Sequence, residues 1–224
     1  MGHIKPTLAY ERRLWRRGYT VVAGVDEVGR GAWAGPLVAA AVLLPPKKEL
    51  LRQSWCKLVN DSKKLSPKIR RLIYSQANKQ IEWAVGMVSS EVIDKIGVAE
   101  ANRQAVNLAV KNLKPTPDYV LADFIFHLGK TVAGKPARAV IDGDARVFLI
   151  ALASIMAKVA RDRLMTTYDK RYPGYGFAQH KGYGTRQHAI ALKRLGPCVL
   201  HRLTYRPVKA APAILKAYER RGDR

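Results

Sequence analysis

The chain has 224 residues, enough for one substantial core, and 48% apolar with 25% charged residues is the composition of a folded globular protein rather than a disordered one. Its 40 Lys and Arg against 17 Asp and Glu give a formal net charge of +23, which points to a polyanionic partner, nucleic acid before an anionic membrane. Cys56 and Cys198 are the only cysteines and lie far apart, so they make neither a disulfide framework nor a zinc knuckle and fit a reducing, cytoplasmic setting. The charged run from Glu11 to Arg17 leaves no room for a secretory leader, and the longest apolar run, Leu37 to Pro46, is about half of what a membrane span needs.

In chain order, residues 7–17 predict a short amphipathic helix with Leu8 and Trp15 on one face. Residues 20–26 and 37–44 read as buried strands, the second bounded by prolines, and residues 81–89 as a third. Apolar residues at helical spacing predict a helix over 98–113. Two further short strands are expected at 119–123 and 137–142, followed by a long helix over 147–168. The part from about Tyr172 is rich in turns, then helical and basic, a region suited to lying against nucleic acid. Strands first and helices later predict a mixed α/β sheet with helices on its faces.

Acids are scarce, so their positions carry weight. Asp26 and Glu27 end a strand and run into Gly29-Arg30-Gly31; Asp123 closes another strand; Asp144 follows Asp142 just ahead of the long helix. Strands ending together at one sheet edge gather such carboxylates, and a hard divalent cation needs a cluster of oxygens. Neighbours on a regular strand face opposite ways, so Asp26 and Glu27 share one site only if the strand ends there, which the glycines permit. Spacing does not choose between Asp142 and Asp144, and Asp144 also suits the N-cap of the long helix. Asp61 and Asp162 are flanked by basic residues and read as ion-pair partners. The run Gly29 to Ala34 nominally matches a dinucleotide fingerprint, but Gly35-Pro36 leads into a strand, not the helix that fingerprint requires. His3, His127, His180, His188 and His201 form no ligand spacing and are assigned no chemistry.

Taken together, these residues resemble the ribonuclease HII family. The series runs through residues 24–31, Asp61-Ser62-Lys63-Lys64-Leu65-Ser66, Tyr119 to Asp123, Gly143-Asp144, Ala153 to Asp162, Tyr175 to Thr185, and His201-Arg202 with Pro207-Val208. The resemblance implies a ribonuclease H-like fold, with a five-stranded mixed sheet flanked by helices and a small helical C-terminal part. Residues 1–19 then form an N-terminal helical extension, 20–171 the catalytic domain, and 172–224 a basic, substrate-contacting region. The implied activity is metal-dependent cleavage of the RNA strand of RNA–DNA hybrids, and of duplex DNA on the 5′ side of a lone ribonucleotide, leaving 3′-hydroxyl and 5′-phosphate ends. Two divalent ions, Mn²⁺ or Mg²⁺, are implied, held by Asp26, Glu27, Asp123 and Asp144, with Asp26 as the bridge. Gly29-Arg30-Gly31 falls on the segment that reads the 2′-hydroxyl, and Tyr183 on the tyrosine that stacks on the next sugar. Lys63 and Lys64, with Lys158 and Lys181, are phosphate-contact candidates. A monomer is expected, with a sliding clamp as a partner to be tested. The chain departs from the family pattern at Phe124 where Gly is usual, Asp142 where Lys is common, Gly97 where Asn is usual, and Thr204-Tyr205 for Ser-Phe, the last two read as neutral. The alternatives are a non-catalytic binder of structured nucleic acid, which has no use for an acid cluster beside phosphate, and another nuclease of the same fold, for which a 2′-hydroxyl reader has no purpose.

Overall fold

Strand β1 (Val22–Val28) is buried over its first five residues, and β2 (Leu37–Leu43) along its whole length. Both faces of these strands are covered, so they read as continuous apolar runs rather than alternating ones. A computed structural model describes residues 5–44, 52–123 and 131–211. It contains β3 (Trp83–Val88), β4 (Tyr119–Asp123), β5 (Thr131–Val132) and β6 (Lys135–Val140), in a sheet of order β3-β2-β1-β4-β6-β5. The pair β1–β2 is antiparallel, β1–β4 and β4–β6 are parallel, and β5–β6 is antiparallel. The sheet therefore has six strands, not five. The extra one is β5, two residues paired with the start of β6, too short to carry a period of its own.

The helices are α1 (Ala9–Arg16), α2 (Pro67–Ala77), α3 (Ser90–Lys111, interrupted at Gly97), α4 (Gly143–Arg146), α5 (Phe148–Arg171), α6 (Phe177–His180), α7 (Arg186–Leu195) and α8 (Arg206–Lys209). Helix α2 is absent from the sequence reading, yet its start is well marked. The Ser66 hydroxyl accepts from the Ile69 N–H at 3.3 Å, and Pro67 fills the first turn. Among the described residues no helix is long and apolar enough to cross a membrane.

The chain divides into two compact units. One comprises residues 1–28, 38–87 and 102–159; the other residues 29–37, 88–101 and 160–224. In the first, the core joins Val22, Ala40 and Val42 of the sheet to Leu121, Val140 and the buried run 147–157. In the second, a smaller core gathers Ala34, Met165, Tyr175, Phe177 and Ala191.

Helix α1 supplies a buried cap to α5. Glu11 is fully buried, and its Oε1 accepts from the Leu149 N–H at 2.8 Å. Burial raises its pKa to about 7 against the pull of that hydrogen bond, so folding favours the protonated acid. The raised value makes the carboxyl's contribution full in acid and progressively lost as pH rises through 7. Glu11→Gln keeps the acceptor and removes the charge. Its stability relative to the parent, compared by urea unfolding at pH 4 and pH 8, is expected to improve by up to about 3 kcal/mol across that range.

Candidate metal centre and the loop held by two arginines

The parallel register of β1 on β4 pairs Val22 with Tyr119 through Val25 with Ala122, so the next step sets Asp26 beside Asp123. Paired residues of a parallel ladder face the same way; Asp123 ends β4, and Asp26 lies two residues before the end of β1. Strand β6, in register with β4 as far as Asp123 opposite Val140, leads within a few residues to Asp144. Gly24 lies two residues before Asp26, on the same face. A Cβ there would sit 2.4 Å from Leu149 in α5, so only glycine lets that helix approach this closely. Along the same helix, the Ser154 hydroxyl hydrogen-bonds Asp26.

Asp26 is buried, and its pKa stands well above the usual carboxylate range. Burial is the first cause and the charges of Glu27 and then Asp123 add to it, against the hydrogen bonds from Ser154 and the Glu27 N–H. An acid so placed is relieved by a cation, and Asp26, Asp123 and Asp144 on these neighbouring elements carry the hard oxygens a divalent ion prefers, so their chemistry fits a metal. Asp123 also accepts the Gly143 N–H at 2.8 Å through Oδ1, which fastens the turn carrying Asp144. The structure separates the two later acids: Asp144 is buried in α4, while Asp142 is exposed, in the left-handed region at φ 52°. Asp144 is not the cap of α5, which begins four residues later. Strand β1 does not end at Glu27. Its ladder with β2 continues through Val28, so Glu27 is directed to the opposite face from Asp26. Consistent with that, no three Asp, Glu, His or Cys side chains among the described residues are gathered closely enough to form a metal cage in this conformation.

Lys63 stands against this cluster. Its Nζ donates to Asp144 Oδ2 at 3.1 Å. Burial alone would lower its pKa, but the hydrogen bond and charge of Asp144, with Asp61 and Asp26 behind it, raise it. The side chain is 81% exposed, so the pair contributes little to stability and is free to exchange partners. Asp61 turns out to shape the loop: its Oδ1 accepts the Lys63 N–H at 2.9 Å. Ser62 is buried and shares a hydroxyl hydrogen bond of 2.9 Å with Ser154, tying this loop to the helix that contacts Asp26. Lys64 is exposed.

In the second unit, two fully buried guanidiniums hold the loop that carries Gly29-Arg30-Gly31. Arg161 donates to the carbonyls of Pro36 at 2.9 Å, Lys181 at 2.8 Å and Ala34 at 3.1 Å, and lies 5.2 Å from the Tyr183 ring centroid. Burial lowers its pKa to about 10, which leaves it charged at neutral pH. Arg202 donates to Gly35 O through Nε and Nη2 and to Arg30 O through Nη1. Backbone bonds add Trp33 and Ala34 N–H to Gly182 O. The Lys181 ammonium is committed within the protein, to Thr166 Oγ1 at 3.0 Å and Ala178 O at 2.7 Å. Tyr183 is half-buried, with its carbonyl bonded to His188 Nδ1 at 3.0 Å.

That histidine belongs to a relay. The Cys198 N–H donates to His201 Nδ1 at 2.9 Å, so His201 carries its proton on Nε2, 3.1 Å from His188 Nε2. His188 then carries its own on Nδ1 toward Tyr183 O. His180 accepts the Gly182 N–H and turns Nε2 to Tyr175 O at 2.8 Å. Burial lowers the pKa of His188 to about 4 and of His201 to about 3, and lowers that of His180 as well. Arg161, Arg202, Ser154 and this relay were assigned no function by sequence; all but His188 had membership of the matched motif series as their only signal.

Acids near the C-terminal ends of neighbouring parallel strands, backed by a long helix, suit a hydrolase that works through divalent metal. The sequence profile described as Ribonuclease HII matches residues 23–208. A ribonuclease HII of Syntrophotalea carbinolica is 46% identical over 203 residues, 90% of this chain and 93% of the relative. Among solved structures, ribonuclease H2 from Pyrococcus horikoshii OT3 superposes with a TM-score of 0.70 at 25% identity, over 84% of this chain and 95% of that one. The ribonuclease HII of a PCNA complex from Archaeoglobus fulgidus gives 0.69 at 26% identity, over 83% and 95%. The chain belongs to the ribonuclease HII family and is a metal-dependent ribonuclease.

Proposed function

We propose that the enzyme cleaves the RNA strand of RNA–DNA hybrids and cuts duplex DNA on the 5′ side of single ribonucleotides, leaving 3′-hydroxyl and 5′-phosphate ends. The observation that carries the reading is the buried Asp26, set beside Asp123 by strand register and destabilised as an anion by burial and its acidic neighbours. Mg²⁺ or Mn²⁺ held by Asp26, Glu27, Asp123 and Asp144, with Asp26 as the bridge between two ions, would supply an activated water and stabilise charge on the leaving oxygen. Glu27 would join that set from the other face of β1, which stays regular around it. Lys63, now paired with Asp144, would with Lys64 and Arg30 meet phosphate. The Gly29-Arg30-Gly31 segment reads the 2′-hydroxyl, the group that separates RNA from DNA, and Tyr183 stacks on the following sugar.

The basic region 172–224 lies against the duplex in this reading. A cytoplasmic monomer is the proposed working form, and the PCNA complex of the Archaeoglobus relative supports a sliding clamp as a candidate partner. Incubation with duplex DNA holding one ribonucleotide, with Mg²⁺ and Mn²⁺ in turn, is expected to give a single cut on the 5′ side of the ribose. No cut under either metal, from protein with an intact melting transition, overturns the proposal.

A further inference from the structure

Two side chains converge on one carbonyl of the recognition loop. Arg30 O accepts from Arg202 Nη1 at 2.8 Å and from the Tyr205 hydroxyl at 2.6 Å, while Arg202 Nη1 also donates to the Tyr205 oxygen at 2.9 Å. The same guanidinium grips Gly35 O through Nε and Nη2 at 3.2 and 2.9 Å, and the Arg202 N–H donates to Trp33 O at 2.8 Å. Arg202 is fully buried, and its guanidinium carbon lies 5.2 Å from the Tyr205 ring centroid. A buried charge is kept only where its donors are met, and here its bonds go to two carbonyls of one loop and to the tyrosine that shares one of them.

The consequence falls on the next residue. Arg30 C=O and Gly31 N–H belong to one planar peptide, so pinning the oxygen fixes the direction of the N–H opposite it. Gly31 is exposed, has no positive φ, and a Cβ built on it meets nothing within 4 Å. The fold itself has no need of glycine there. Close approach by a ligand to that peptide is a reason for it that packing does not supply.

We propose that Arg202 and Tyr205 are positioning residues that orient the Arg30–Gly31 peptide and thereby set how strictly the enzyme selects ribose; this rests on the proposed reading of the 2′-hydroxyl by that loop. Arg202 is the anchor, and the Tyr205 hydroxyl adds a second bond that shares the carbonyl with it.

Tyr205→Phe deletes only the hydroxyl, and Arg202→Lys keeps a positive charge while losing the planar fork. For each, kcat/KM is measured on a DNA duplex with one ribonucleotide, the inhibition constant of the same duplex in all-deoxy form is measured in competition, and the melting temperature is recorded. Tyr205→Phe is expected to lower kcat/KM roughly fivefold, the worth of one neutral hydrogen bond, and Arg202→Lys by on the order of a hundredfold. The all-deoxy inhibition constant is expected to stay within about twofold of the parent, since phosphate contacts are unaltered. A role in folding alone lowers the melting temperature without changing the ratio of the two constants. The proposal is overturned if folded Tyr205→Phe keeps the parent's ratio; if Arg202→Lys does not fold, Tyr205→Phe decides alone. Failure of the parent itself to cut the ribonucleotide duplex is a different result, which removes the proposed function instead.

Discussion

Asp26→Asn is expected to lower the cleavage rate by at least about a thousandfold in either Mg²⁺ or Mn²⁺, the equivalent of several kcal/mol of lost transition-state stabilisation. Ground-state binding is expected to survive or tighten, because an anion facing phosphate has been removed. Stability moves the other way from activity. The acid is buried between like charges, so its ionised form is disfavoured in the folded state. Its pKa is raised, so the stability it contributes is present in acid and lost as pH rises. In metal-free buffer the Asn variant is therefore expected to melt above the parent at pH 8, with the gap closing toward pH 4. Single-turnover cleavage, anisotropy binding without metal, and melts at the two pH values test the three parts separately. A variant that retains more than a tenth of the parental rate would remove Asp26 from the centre of the chemistry.

Substitutions at the two glycines of the Gly29-Arg30-Gly31 segment are expected to fail for different reasons. Gly29 has φ 95°, and a Cβ there would lie 2.4 Å from Arg161 Nε. Gly29→Ala must displace a guanidinium that holds three carbonyls, at an expected cost of about 2–4 kcal/mol in unfolding free energy. Gly31→Ala meets no protein atom. Its melting temperature is expected to match the parent, while on the proposed reading of the 2′-hydroxyl kcat/KM on a ribonucleotide-containing duplex falls on the order of a hundredfold, because the methyl would displace the reacting phosphate. Equal loss of stability in both variants, by urea titration, would mean that the segment is structural throughout.

How much of this was legible in the sequence depended on where each constraint came from. Strands β1, β2 and β4 showed as apolar runs because both faces are covered, and their ends located Asp26 and Asp123. Helix α2 was overlooked because Lys68, Arg70 and Arg71 break its apolar stripe, although Ser66-Pro67 was a readable start signal. That Asp144 is the buried one of the pair and Asp142 the exposed one goes with the left-handed turn at Asp142, a backbone choice that composition does not reveal. The strand was expected to end at Glu27; it continues to Val28 because β2 stays paired with it that far. The roles of Arg161 and Arg202 were not read from sequence, since burial of an arginine depends on carbonyls brought from distant parts of the chain. Phe124, the departure nearest to Asp123, lies outside the described residues.

The histidine relay leads to a proton inventory. Each ring holds one proton on a defined nitrogen, and a second would set donor against donor between His188 and His201. The unfolded chain accepts protons on all three rings once pH drops below about 6.5, whereas His188 and His201 in the fold resist down to about 4 and 3. Near pH 5 unfolding therefore takes up close to two protons on His188 and His201, while Glu11 and Asp26, whose pKa values are raised in the fold, give protons back. Each of these two histidines takes about 1.4 kcal/mol off the stability for every pH unit of acidification between its unfolded and folded pKa, and the two acids act in the opposite sense. Acidification thus works on this fold through two opposed sets of groups, imidazoles that resist a second proton and buried acids that welcome one.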